Sequence, residues 1–376
     1  MLEALERVLA AARRLGASDV HLKVGLPPIY RIKGDLRTVR DVPPITVEAI
    51  HAFTEKALTT RQRKDYEQYH EVDLAYSTAE GVRFRVNLFT QRGNPGLVLR
   101  LIPPEVPPFE SLGLPDVVLK LAEEPRGLVL VTGVTGSGKS TTLAAMLDHV
   151  NKTSACHIVT IEDPIEFTFT DKRSVVNQRE LGLDTTSFTR ALRAALRQDP
   201  DVVLVGEMRD VETIEIALLA AETGHLVLST LHTTDAVETV NRIIAVFNPH
   251  QQTQIRLQLA SALRGVVSQR LLPQADKKRM VPAVEVLVNT ARVRELIEDA
   301  QRTVEIRQAI AEGKHPYGMI SFDQSLTELV QRRIVTYETA VAHATNPDDF
   351  ALYFRGVSGG KAGGGGTDWM ETGHGP

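Results

Sequence analysis

Gly127-Leu128-Val129-Leu130-Val131-Thr132-Gly133-Val134-Thr135-Gly136-Ser137-Gly138-Lys139-Ser140-Thr141-Thr142-Leu143 places the chain among the α/β proteins. An unbroken apolar run of this kind suits a strand buried on both faces of a parallel sheet. The glycine-rich turn that follows has the pattern G-x-x-x-x-G-K-[ST], and apolar Leu143 and Leu147 begin a helix beyond it. Strand, glycine-rich loop and helix in that order form a phosphate-binding loop. Its glycines let backbone N–H groups close on phosphate oxygens, and the helix N-terminus adds positive potential. Gly133, Thr135, Gly136, Ser137, Gly138, Lys139, Ser140 and Thr141 are therefore the expected nucleotide-binding residues. Lys139 neutralises β- and γ-phosphate charge, and the Ser140 hydroxyl suits Mg²⁺. ATP and Mg²⁺ are the expected ligands. The loop alone leaves kinases, GTPases, transporters and motors open.

Neighbouring strands narrow the choice. Ile158–Ile161, Val202–Val205 and Leu226–Ser229 are further apolar runs, and a parallel sheet brings their C-terminal ends to the phosphate edge. Glu207 ends one of them and is expected near the Mg²⁺. Glu162, Asp163 and Glu166 follow another, and one of these carboxylates can orient or deprotonate an attacking water. His225 and His232 flank the fourth run, where they can sense the γ-phosphate or a neighbouring subunit. Arg83, Arg85, Arg100 and Arg126 lie outside the loop. Arginines brought in from another domain or subunit can stabilise transition-state charge.

Around this core, residues 1–102 read as a small mixed domain. A helix stops at Gly16, strand-like runs cover Val20–Val24 and Ile29–Ile32, a helix lies near 46–69, and paired strands from Val82 to Leu101 turn at Gly93-Asn94-Pro95-Gly96. Ile102-Pro103-Pro104-Glu105-Val106-Pro107-Pro108 reads as a linker, with 103–115 joining the first domain to a core at 116–272. Residues 273–357 read as a helical region, and 358–376 as a disordered glycine-rich tail. The 376 residues are 43% hydrophobic with a formal charge of −4, which gives no support to a general nucleic-acid-binding surface. Cys156 is the single cysteine, so an intramolecular disulfide or a multi-cysteine zinc site is excluded. No apolar run reaches the ~20 residues of a membrane span. Glu3 and Glu6 stand where a signal peptide carries basic residues, so a cytoplasmic protein is expected.

The combined motifs resemble the type IV pilus retraction (twitching motility) ATPases of the secretion ATPase superfamily. Gly16-Ala17-Ser18-Asp19-Val20-His21-Leu22 with Gly25-Leu26-Pro27-Pro28 is similar to the family's opening motif. Thr160–Phe167 resembles its Asp box, Leu192–Asp201 running into Gly206–Asp210 its long Walker B signature, and Thr223–His232 its His box. The resemblance implies an N-terminal PAS-like α+β domain, a RecA-like ATPase core and a C-terminal helical region in a homo-hexamer. It implies that Glu166 activates water, that Glu207 is the Walker B acid, that His232 and His225 lie near the γ-phosphate or subunit contacts, and that Arg85 and Arg100 are arginine fingers. It further implies pilus retraction at the cytoplasmic face of the inner membrane, an inner-membrane pilus platform protein as partner, and a paralogous pilus ATPase as a second one. The single cysteine departs from assembly relatives, which usually carry a four-cysteine zinc motif. Arg292–Asp299 departs from the principal retraction motor's C-terminal signature, with Glu298 reversing a charge. An accessory paralogue that tunes the principal motor is the alternative reading.

Overall fold

The computed structural model describes residues 2–359 except 33, 40, 41 and 104. The chain divides into two compact units, Met1–Val106 with Pro164–Phe169 and Pro107–Asp163 with Thr170–Pro376. The expected disordered tail lies, from residue 360 on, outside the described residues.

The N-terminal unit contains α1 (Leu2–Arg14), β1 (Ala17–Lys23), β2 (Ile29–Ile32), β3 (Asp35–Thr38), α2 (Val47–Ala57), α3 (Thr60–Tyr69), β4 (Glu71–Ser77), β5 (Arg83–Gln91) and β6 (Asn94–Leu101). The strands form an antiparallel sheet in the order β3-β2-β1-β6-β5-β4. Alternate residues such as Phe84, Val86 and Leu88 point inward and meet Leu5, Leu9, Ile50 and Phe53 from the helices. The helix expected over 46–69 is two helices. Leu58 is extended, and Thr59 starts α3 with a capping box closed by Gln62, a stronger start signal than the helical pattern that surrounds it.

The second unit begins with α4 (Val117–Ala122), β7 (Gly127–Thr132), α5 (Lys139–Thr153), β8 (His157–Glu162), β9 (Val175–Glu180) and α6 (Phe188–Ala195). It continues through β10 (Val202–Val205), α7 (Val211–Glu222), β11 (Leu226–Leu231), α8 (Ala236–Ala245), α9 (Gln252–Ala262), β12 (Leu263–Pro273) and β13 (Met280–Val288). Helices α10 (Ala291–Glu298), α11 (Ile306–Glu312), α12 (Phe322–Gln331), α13 (Tyr337–His343) and α14 (Pro347–Gly359) complete it. The sheet order is β13-β12-β7-β11-β10-β8-β9, parallel except for β13. Every residue of β7, β10 and β11 is buried, so these strands read as continuous apolar runs. Burying each of their Leu and Val side chains contributes about 1.5–3 kcal/mol.

The expectation of helix throughout 273–357 needs one correction. Helices do occupy most of the chain after residue 290, but Met280–Val288 is a strand, antiparallel to β12 from Gly265↔Val288 to Pro273↔Met280. Its run Val281-Pro282-Ala283-Val284-Glu285-Val286-Leu287 is almost wholly buried, and its valines suit a buried pleated surface although β13 is the edge strand of the sheet. Helices α12 to α14 then cover the far ends of β12 and β13, with Phe322, Leu326 and Phe350 packed on Leu272 and Val281. No helix among the described residues is long and apolar enough to cross a membrane.

Candidate active site

The phosphate loop leaves β7 at Thr132 and enters α5 at Lys139. Gly133 has φ +138°, and a Cβ there would fall 2.5 Å from both the Gln269 carbonyl oxygen and Ser137 Oγ. Only glycine fits this site. Gly138, the residue before α5, is left-handed, so the first N–H groups of a fifteen-residue helix face the loop unpaired by the helix itself. Lys139 is buried, and its Nζ donates to the carbonyls of Gly133 at 2.9 Å and Val134 at 3.1 Å. The ammonium group is thereby folded over the loop's own backbone. Ser137 Oγ is buried without a hydrogen-bond partner. A glycine-only turn, a buried cation and an unsatisfied hydroxyl converging at a helix N-terminus fit a polyphosphate. Ser140 follows directly at half-buried depth, and a hydroxyl at this place fits a phosphate-bound Mg²⁺.

The rest of the site is set by strand order. β11 lies between β7 and β10, so the ends carrying the loop and Glu207 are two strand spacings apart, about 10 Å, with His232 directly after the strand between them. Glu207 Oε1 lies 2.6 Å from Arg209 Nε and 3.5 Å from His232 Nε2. Arg209 falls within the Walker B-like stretch Gly206–Asp210, where no sequence signal marks it as part of the site. The sheet edge beneath is tied together by side chains. Thr230 Oγ1 donates to the Gly206 carbonyl at 2.7 Å, Ser229 Oγ to that of Val205 at 2.7 Å, and Thr132 Oγ1 to Ser268 Oγ at 2.9 Å. A cavity of about 430 Å³ opens beside Glu207 and His232, floored by Met208, Ile214, Leu231 and Ile243.

On β8, Glu162 Oε1 accepts from Thr160 Oγ1 at 2.6 Å and from Gln178 Nε2 at 3.2 Å. That carboxylate is braced against its own sheet edge. Glu166 is exposed and lies in Pro164–Phe169, which is part of the N-terminal unit. Arg85 and Arg100 belong to the same unit. Arg85 Nη2 is 4.0 Å from Asp73 Oδ2, and Arg100 Nε donates to Asp19 Oδ1 at 3.0 Å. Burial pushes the Asp19 carboxyl up, but the Ser18 hydroxyl and the Arg100 guanidinium outweigh it and leave it below the usual carboxylate range. Asp19 therefore stays charged and holds Arg100.

His225 does not join His232. It stands at the start of β11, about 20 Å from the other end of that strand, and its Nδ1 lies 3.0 Å from the Ala220 carbonyl at the end of α7. Flanking one strand puts two residues at its opposite edges, so the spacing that paired them in sequence separates them in space. Arg126 is exposed, and its carbonyl accepts from Arg264 Nε at 3.0 Å.

The profile of the family "Type II/IV secretion system protein" matches residues 1–348. The chain is 45% identical over 346 residues to the type IV pilus retraction ATPase PilT of Pseudomonas aeruginosa, covering 92% of this chain and 99% of that one. It is 39% identical over 350 residues to the type IV pilus ATPase PilU of the same organism, covering 93% and 91%. Among solved structures it is similar to the pilus retraction motor PilT with bound ADP, with a TM-score of 0.84, 44% identity and 92% and 98% coverage.

Proposed function

The chain belongs to the type II/IV secretion system protein family, and on that premise we propose that it is the motor ATPase that drives type IV pilus retraction. The observation that supports this best is the joint placing of the phosphate loop, Glu207 and His232 on three successive strand ends of one sheet, in a chain alike over nearly its whole length to a pilus retraction ATPase.

The chemistry is ATP hydrolysis. The loop N–H groups and Lys139 bind the β- and γ-phosphates, and Ser137 adds a hydroxyl donor. Ser140 and, through water, Glu207 would hold Mg²⁺, which would neutralise phosphate charge. Glu166 accepts the proton of the attacking water, and His232 holds its place beside Glu207 at the γ-phosphate edge. Arg85 and Arg100 supply positive charge to the transition state from the N-terminal unit of the same subunit or its neighbour. The working form is a homo-hexameric ring at the cytoplasmic face of the inner membrane, where it engages the pilus platform protein. Changes in nucleotide occupancy move one domain against another and so convert hydrolysis into displacement.

The test is ATPase activity of the purified protein beside Glu166→Ala and Glu207→Gln, with twitching of a deletion strain. Loss of hydrolysis in both variants and loss of twitching are expected. Equal rates for Glu166→Ala and wild type would remove Glu166 from catalysis. A second reading, an accessory paralogue acting with the principal motor, draws on Arg292–Asp299, where Glu298 reverses a charge, and on the 39% identity to a PilU protein. Full twitching after single deletion, lost only on deletion of a paralogue as well, would select it.

A further inference from the structure

Glu285 lies on β13, outside every motif that marks the site, and only 7% of it is exposed. Its Oε1 accepts the backbone N–H of Ala236, the first residue of α8, at 2.8 Å. Three residues, Thr233–Asp235, separate Ala236 from His232. This short segment is held at other points too. Asp235 Oδ1 caps α8 by accepting the Glu238 N–H at 2.7 Å, and Asp235 Oδ2 accepts from Arg307 Nη2 of α11 at 3.1 Å. The Thr233 and Thr239 hydroxyls meet at 2.7 Å, and Thr239 Oγ1 also approaches the Asp235 carbonyl at 2.7 Å.

The sheet register ties Glu285 to the same edge from below. Glu285 pairs with Ser268, Ser268 with Thr132, and Thr132 with Leu231. Laterally paired residues present their side chains on one face, so this row crosses from β13 through the root of the phosphate loop. It ends at the residue immediately before His232. Burial raises the Glu285 carboxyl to about 7, with Asp235 adding to the rise and the Ala236 N–H, Arg270 and Arg307 opposing it. A buried carboxyl is an unfavourable way to fill core space, and an apolar side chain of the same size would pack there more cheaply. What glutamate supplies is an acceptor long enough to reach the start of α8.

We propose that Glu285 is a positioning residue of the hydrolytic site: it anchors the start of α8 to the sheet and so holds His232 beside Glu207. The inference rests on the reading of Glu207 and His232 as the γ-phosphate edge of an ATPase. It gives the β12–β13 hairpin a part in catalysis without contact with nucleotide.

The test uses full-length protein and steady-state ATP hydrolysis, with ADP affinity measured separately. Glu285→Met removes the acceptor at similar volume, and Glu285→Gln keeps an oxygen in place. Glu285→Met is expected to lower kcat between about tenfold and a hundredfold, as a misplaced catalytic segment does. KM for ATP and ADP affinity should stay within about twofold, because the phosphate loop is untouched. Glu285→Gln should restore most of the lost kcat. Arg307→Met, at an exposed side chain, should show the same split in smaller degree and decides the matter if Glu285→Met does not fold. The proposal is overturned if both Met variants keep wild-type kcat. It is equally overturned if kcat and ADP affinity fall together with no rescue by glutamine. Absence of hydrolysis by wild type would instead sink the reading of the site as an ATPase centre.

Discussion

Arg209 Nε lies 2.6 Å from Glu207 Oε1, so the acid at the end of β10 is held by a cation two residues further along the chain. The Arg209 side chain is largely exposed, and such a pair contributes at most about 1 kcal/mol to stability. Its value lies in direction, since it fixes how the carboxylate is turned, with Arg209 and His232 both on Oε1. Arg209→Met should leave the melting temperature within a few degrees of wild type and lower kcat several-fold with KM unchanged. A rise in kcat would mean that Arg209 competes for the carboxylate instead of orienting it.

Two glycines of the phosphate loop should respond differently to alanine. At Gly133 a Cβ collides with the Gln269 carbonyl and Ser137 Oγ at 2.5 Å, while at Gly136 nothing lies within 4 Å. Gly136→Ala should cost about 1–2 kcal/mol of left-handed backbone strain and no more. Gly133→Ala adds a backbone clash, and it should abolish ADP binding and lower the melting temperature well beyond the Gly136 variant. Parallel thermal melts with and without ADP compare the two directly.

Ser137 carries a buried hydroxyl with no partner. Removing an unsatisfied polar group is neutral or stabilising, so Ser137→Ala should melt no lower than wild type without nucleotide. If that hydroxyl donates to phosphate, the same variant should bind ADP about tenfold more weakly, the equivalent of one ordinary hydrogen bond. Calorimetric titration separates the two effects. Unchanged affinity would take Ser137 out of the phosphate cradle.

Stability should carry a pH signature from Glu285. Its carboxyl is raised from 4.5 to about 7 by burial and by Asp235, against the Ala236 N–H, Arg270 and Arg307. The folded chain therefore keeps a proton between those values that the unfolded chain has released. The contribution of this group to stability is fully present below about pH 4.5 and is lost as pH rises through about 7. Glu285→Gln has no such proton. Its stability relative to wild type should grow across that window by up to about 3 kcal/mol, read from denaturant midpoints at pH 5 and pH 8. A constant difference between the two proteins would contradict the assignment.

Much of the second unit could be read before the structure, because its central strands are buried on both faces and so are spelled as unbroken apolar runs. The phosphate loop was legible for a related reason, as all its parts lie within eight consecutive residues. Strands β9 and β12 were missed, and both mix polar residues into the pattern. β9 is an edge strand, half in solvent, and β12 carries Ser268, Gln269 and Arg270, with Ser268 bonded to Thr132 and Arg270 to His343 and Thr345. The contact between Glu285 and Ala236 joins positions 49 residues apart and leaves no local trace at either. His225 and His232 were expected near the γ-phosphate or at subunit contacts, and the strand between them carries each to a different edge of the sheet.

The Pro164–Phe169 segment, which leaves the second unit after Asp163 and returns at Thr170, bears on how such proteins can be recombined. Grafting residues 1–106 from one relative onto another would transplant an incomplete unit, because six residues of it are encoded far downstream. Those six include Glu166, so a hybrid would join a foreign N-terminal sheet to the host's own glutamate. Shuffling at the proline-rich junction alone should yield impaired hybrids, and exchange of both pieces together should repair them.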